Sequence, residues 1–262
     1  MHDSALPLAM LKHRVATLSR SDRVQGEAAH VSLGHADIDA ALGGGLERGK
    51  VHELFSADAA DAGSAAGFAA MLARRLEGHL LWLRQESAQR QGRLHAPGLM
   101  GLGLDPAGLT MAVLPDPVAL LRAAADVVRC PSVGVAVIEL WKMPPVLDLT
   151  ASRRLALAAE ASGVTVLMLR VDARAAPSAA QTRWSVASLP SRALAANAPG
   201  HPALELELLR QRGRPAGGRW QVEWSRDQGC FRDRESGEAA ASGAVFPLPS
   251  GRSTEGEARR TA

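Results

Sequence analysis

The run VHELFSADAADAGSAAGFAAMLARRLE, Val51 to Glu77, decides how the chain is read. It opens on a strand candidate, Val51–Phe55, crosses a loop of small and acidic residues, and enters a helix candidate, Ser64–Glu77. In α/β sheets, ligands gather at the carboxyl ends of strands, so the loop is where phosphates would be held. A working phosphate loop needs glycines so that backbone N–H groups can surround the ligand, a lysine for the terminal phosphates and a hydroxyl for magnesium. Here Gly63 is the one glycine in a cradle position, and Ser64-Ala65 stands where Lys-Ser/Thr is required. Asp58 and Asp61 add negative charge. Two unit charges about 4 Å apart interact at roughly 4 kcal/mol for an effective dielectric of about 20, so acids turned toward a polyphosphate would oppose it. Tight ATP binding, and any other cofactor, is therefore not expected.

Outward from this run, the order strand, helix, strand repeats. Strand candidates are His79–Arg84, Thr110–Leu114, Val133–Leu140 and Val164–Val171, and helix candidates are Pro117–Arg129 and Leu149–Ser162. The alternation predicts an α/β fold with a mainly parallel sheet flanked by helices. Beyond Pro177 the period becomes two: Leu204, Leu206 and Leu208 alternate with glutamates, then Trp220, Val222 and Trp224 with polar residues. With the turn Gln211–Gly218 between them, these predict a C-terminal antiparallel β-hairpin. Residues 1–30 read as an amphipathic helix (Leu6, Met10, Leu11, Val15, Leu18) and a linker, and 232–262 as a disordered tail.

Composition narrows the function. The 262 residues carry 30 basic and 27 acidic side chains, a formal charge of +3, which excludes a polybasic protein that binds nucleic acid by charge alone. Four Phe, five Trp and no Tyr predict a core of Ala, Leu and Val. Cys130 and Cys230 form neither a metal spacing nor a disulfide framework and suit a reducing cytoplasm. No apolar run reaches the length of a membrane span, so no membrane partner is expected. His35, His52, His79 and His95 are not at ligand spacing, which predicts no metal site. Ser64 has no sequence-near base that would make it a nucleophile.

Upstream of the first strand, LGHADIDAALGGGLERGKVHEL (Leu33–Leu54) resembles the entrance to a RecA-like core: a short helix, a Gly-Gly-Leu turn, and a glycine before the strand. The strings Leu80–Gln85, Gly92–Leu99, Val137–Trp141, Asp148–Glu160, Ala179–Trp184 and Leu206–Pro215 make the chain similar to the ImuA family, over roughly residues 31–232. The resemblance implies a RecA-like domain over 31–231 with a degenerate P-loop at Gly63, Ser64 and Ala65. It puts Glu139 where such proteins organise magnesium and Glu86 at the catalytic glutamate. The loop lysine is missing, and Arg170-Val171-Asp172 stands where a γ-phosphate-sensing glutamine belongs. That balance favours a retained scaffold over a retained ATPase, with no catalytic residue assigned.

The DNA-contacting loops of RecA correspond to Trp141–Val146, stiffened by two prolines, and Asp172–Thr182, with Arg174 in it and Arg183 just beyond. Neither is densely basic. The densest positive stretch is the hairpin tip, where Arg210, Arg212, Arg214 and Arg219 lie within ten residues without an acid. If extended, Arg210, Arg212 and Arg214 would project on one side and meet phosphates or carboxylates of DNA or a protein partner. Val31–Ala70 is by contrast net −4: Asp37, Asp39, Glu47, Glu53, Asp58 and Asp61 against Arg48 and Lys50.

Membership would imply an accessory role in SOS-induced mutagenic translesion synthesis. The partners it implies are ImuB, the error-prone C-family polymerase of the cassette, and RecA, with DNA reached indirectly and with room for self-association. The location it implies is cytoplasmic and nucleoid-associated. Two other readings are a DNA-dependent ATPase with an unorthodox P-loop and a SulA-like cell-division inhibitor.

Overall fold

The structure, a computed structural model, describes residues 29–234 apart from 195, 197, 199 and 216. The expected N-terminal helix and all of the tail beyond Arg234 lie outside the described residues. A short antiparallel pair, β1 (His30–Val31) and β2 (Leu46–Glu47), brackets helix α1 (Ala36–Leu42). Then follow β3 (Val51–Ser56), α2 (Ala62–Leu76), β4 (Leu80–Gln85), α3 (Ala96–Gly101), β5 (Leu109–Leu114), α4 (Pro117–Val128), β6 (Val135–Trp141), α5 (Leu149–Ser162) and β7 (Thr165–Val171). Four more strands close the order: β8 (Thr182–Leu189), β9 (Ala203–Gln211), β10 (Arg219–Ser225) and β11 (Cys230–Asp233).

Nine of these strands form one sheet in the order β11-β10-β9-β8-β3-β7-β6-β4-β5. From β8 to β5 every pair is parallel, and from β8 to β11 every pair is antiparallel. The expected hairpin is β9–β10, with Leu206 opposite Trp220 and Leu204 opposite Val222. β8 joins it to the parallel sheet and was not anticipated. Its residues Trp184 and Val186 face the core, but the strand pairs in parallel with β3, over a hundred residues earlier, and that register is invisible locally. Arg232 and Asp233, assigned to the tail by sequence, belong to β11.

Local chemistry sets the helix ends. Asp116 accepts from Ala119 N at 2.8 Å and Asp148 from Ala151 N at 2.7 Å, so each caps its helix, and Gly163 ends α5 in the left-handed conformation. Helix α2 covers one face of the sheet, and α4 and α5 the other. The face under α2 departs from the expected Ala/Leu/Val core. Phe68 of α2 lies 6.1 Å from Trp184 and 5.5 Å from Phe231, whose ring is 4.9 Å from Trp224, all ring-centroid distances. These four aromatics thus gather where α2 meets the antiparallel strands. Each of these buried rings is a side chain whose truncation costs about 3–5 kcal/mol.

Candidate functional site

At the carboxyl end of β3 the chain forms a short 3-10 turn, Ala59–Asp61, and then α2. Both acids of this loop bind backbone. Asp58 accepts from Ala60 N at 2.8 Å, and Asp61 reaches across to accept from Ser188 N on β8, also at 2.8 Å. Neither side chain lines the adjacent cavity: Asp58 is bound to its own loop and Asp61 to β8.

That cavity, about 550 Å3, is bounded by the first turns of α2 and the ends of β4 and β6. The loop 91–95 and the segment joining β8 to β9 complete it. Gly63, Ser64 and Glu139 of the expected positions are brought together there. Ala65 points into the core and is fully buried, whereas Glu86 opens the 3-10 turn after β4, is exposed, and is outside the cavity wall.

Glu139 is not poised for a metal. Its Oε1 accepts from Arg84 Nη2 at 3.0 Å and from Trp141 Nε1 at 2.9 Å, and its Oε2 from Trp82 Nε1 at 3.0 Å. Arg84 and Glu139 are paired positions of adjacent strands, and both are about 95% or more buried. Magnesium needs oxygen ligands in near-octahedral array. Here the carboxylate is held by three donors, one of them a guanidinium that would repel the ion. With no lysine in the loop, the residues present do not fit a magnesium-bound nucleotide.

A second buried ionic group lies on the opposite face. Glu53 Oε2 accepts from Arg183 Nε at 2.9 Å and from Ser178 Oγ at 2.7 Å, and its Oε1 is 4.0 Å from Arg170 Nη1. Burial pushes the Arg170 guanidinium below its ordinary pKa, and Glu53 opposes that shift. Arg183 is therefore a structural residue of β8 and not a free cation beside a loop. Arg174 and Lys142 are exposed at the carboxyl end of the sheet.

The hairpin-tip arginines are exposed but do not make the expected one-sided stripe, because β9 ends at Gln211 and the chain turns at Arg212. Arg214 folds over Gly43, and Arg219 donates to Glu207 at 2.9 Å and lies 3.7 Å from Glu205. The hydrogen bond to Glu207, then the charge of Glu205, raise the Arg219 pKa further. Gln211 pairs with Thr182 at the start of β8, whereas Ala203, a cavity residue, pairs with Leu189 at its end. The tip and the cavity thus stand at opposite ends of the sheet.

Sequence reading missed Arg84, Trp82 and Trp141 as partners of Glu139. A signal existed: an arginine near the end of one apolar strand and a glutamate near the end of another.

A parallel sheet with helices on both faces, a loop-to-helix turn after β3 and a cavity at the strand ends define a RecA-like α/β domain. The crystal structure of the RadB recombinase is similar in fold, with a TM-score of 0.54 at 15% identity, covering 78% of this chain and 100% of that one. No protein-family model matches the chain. Protein ImuA of Caulobacter vibrioides, in strains NA1000 / CB15N and CB 15, is 34% identical over 216 residues, 76% of this chain and 79% of that protein. The chain belongs to the ImuA family. No helix among the described residues is long and apolar enough to cross a membrane.

Proposed function

We propose that this protein is a RecA-like accessory factor of SOS-induced mutagenic translesion synthesis, working through protein contacts and not through ATP turnover. The observation that carries the second half is the capture of Glu139 by Arg84, Trp82 and Trp141, next to a loop with no lysine. A carboxylate so engaged neither coordinates magnesium nor polarises a water, so what remains of the RecA-like domain is its shape and surface. Family membership supports the mutagenesis setting, and the partners proposed are ImuB, the cassette's C-family polymerase, and RecA. The exposed arginines of the β9–β10 tip supply one surface for an acidic partner, away from the cavity.

The test is co-purification of the full chain with ImuB and with RecA, alongside ATP hydrolysis with and without single-stranded DNA. The expected result is retention of partners with no turnover above background. DNA-stimulated hydrolysis that disappears in Glu139→Gln or Glu86→Gln would overturn the proposal.

A further inference from the structure

Much of the cavity wall at the strand ends is apolar, with Met71, Leu94, Leu99, Leu102, Trp141 and Leu204. Leu94, Leu102 and Trp141 are half-buried against the core under α2, so the cavity opens onto that core. The two buried charges in its wall, Arg84 and Glu139, neutralise each other across 3.0 Å. Apolar surface of this kind gains by being covered, and an uncharged occupant suits it.

The chain itself supplies one. Residues 235–262 are Gly, Ala, Ser, Thr, Glu and Arg except for a single run, Val245-Phe246-Pro247-Leu248-Pro249. No charged residue lies between Ala239 and Gly251. Proline disfavours the helical region for the residue before it, so Phe246 and Leu248 favour an extended course. Side chains two apart in such a course project on one side. The fixed φ of each proline also lowers the entropy lost on docking.

The position of Arg234, where the described chain stops, brings this run to the cavity. Ser188 pairs with Leu204, Leu204 with Val222 and Val222 with Asp233. Asp233 is therefore level with two residues of the cavity wall, Leu204 and Ser188, at two and three strand spacings, about 10 to 15 Å. Arg234 Nη2 donates to Pro190 O at 3.0 Å, and both neighbours of Pro190, Leu189 and Ser191, line the cavity. Phe246 lies twelve residues beyond Arg234, a length that spans up to about 40 Å. Residues 1–28 by contrast join at Ala29, whose carbonyl accepts from Arg48 N ahead of β3, at the other end of the sheet.

We propose that residues 245–249 dock into this cavity of their own chain, with Phe246 and Leu248 as anchors. The volume of about 550 Å3 is of the size that encloses a small molecule and takes two such side chains. So seated, the run covers the opening above Arg84 and Glu139.

Fluorine NMR of the full chain carrying 4-fluorophenylalanine tests this. Phe55, Phe68, Phe231 and Phe246 each give a resonance, and Phe246→Leu assigns the last. The expected Phe246 resonance is shifted from that of a free peptide of residues 243–250, shielded from a soluble paramagnetic agent, and independent of protein concentration. Gly67→Leu puts a side chain into the open space at the α2 wall and should return the resonance to the free-peptide position. The buried Phe55 and Phe231 report in the same spectrum that this variant is folded. Leu248→Asp, a change in the tail alone, should have the same effect. A parent resonance at the free-peptide position would overturn the proposal. So would a shift that persists in Leu248→Asp or in a natively folded Gly67→Leu variant, or one that grows with protein concentration, which would seat the run in a second copy.

Discussion

Glu139→Gln separates two roles that a strand-terminal carboxylate can have. The change is nearly isosteric, so a residue serving only to organise magnesium would lose activity and leave the fold intact. In this protein Glu139 is 3% exposed and Arg84 5% exposed, with 3.0 Å between their atoms. The amide keeps one acceptor oxygen, but it replaces the other with a donor that faces Arg84 Nη2 or an indole N–H, and it leaves the guanidinium charge buried without a counter-ion. Removing one partner of a buried pair costs about 3–5 kcal/mol. For a domain of this size each kcal/mol moves the melting temperature by roughly 2–4 °C, so a fall of about 10 °C is expected. The double change Arg84→Met with Glu139→Leu removes both charges and should recover most of the loss, because apolar replacements of whole buried pairs are often neutral or stabilising. Thermal unfolding followed by far-UV circular dichroism compares the parent with both variants. A Glu139→Gln melting temperature within about 2 °C of the parent would refute the assignment of Glu139 to a structural pair.

Two further outcomes follow from single buried positions. His52 has Nε2 at 2.8 Å from Glu47 O and Nδ1 at 2.8 Å from Thr182 Oγ1, so Nε2 donates and Nδ1 accepts. Burial lowers its pKa from 6.5 to about 4. Between these values the unfolded chain binds a proton that the folded chain refuses, so stability is lost as pH falls from 6.5 toward 4, by roughly 3 kcal/mol in all, and is unaffected by this group above 6.5. Urea titrations at pH 7 and pH 5 should show a smaller pH dependence in His52→Gln, and equal slopes in the two proteins would contradict the neutral assignment. Gly45→Ala should lose about 2 kcal/mol or more in the same assay, since Gly45 has φ +123° and an added Cβ would strike the Val31 carbonyl of β1. A change smaller than about 0.5 kcal/mol would show that β1 yields.

Periodicity made most of the elements legible. The helix predicted at Leu149–Ser162 has those bounds, and the parallel strands sit within two residues of their expected places. This works because each element buries a face along its own length, so period and burial coincide. β8 escaped because it is amphipathic over eight residues that follow a proline, serine and alanine segment, and its partners are distant in the chain. The aromatic centre escaped because composition counts residues without saying that Phe68, Trp184, Trp224 and Phe231 meet at one point.

The same division runs through the site. Sequence by itself determined that the loop after β3 has no lysine, that a glutamate lies near the end of β6, and that four arginines crowd the β9–β10 turn. These are matters of which groups exist. Only the tertiary structure decided what those groups do: strand register sets Glu139 against Arg84, 55 residues away, and Asp61 reaches Ser188, 127 residues away. A buried charge must find a partner or lose its ionisation. The partner is chosen by which strands lie side by side, and no local pattern of residues records that choice.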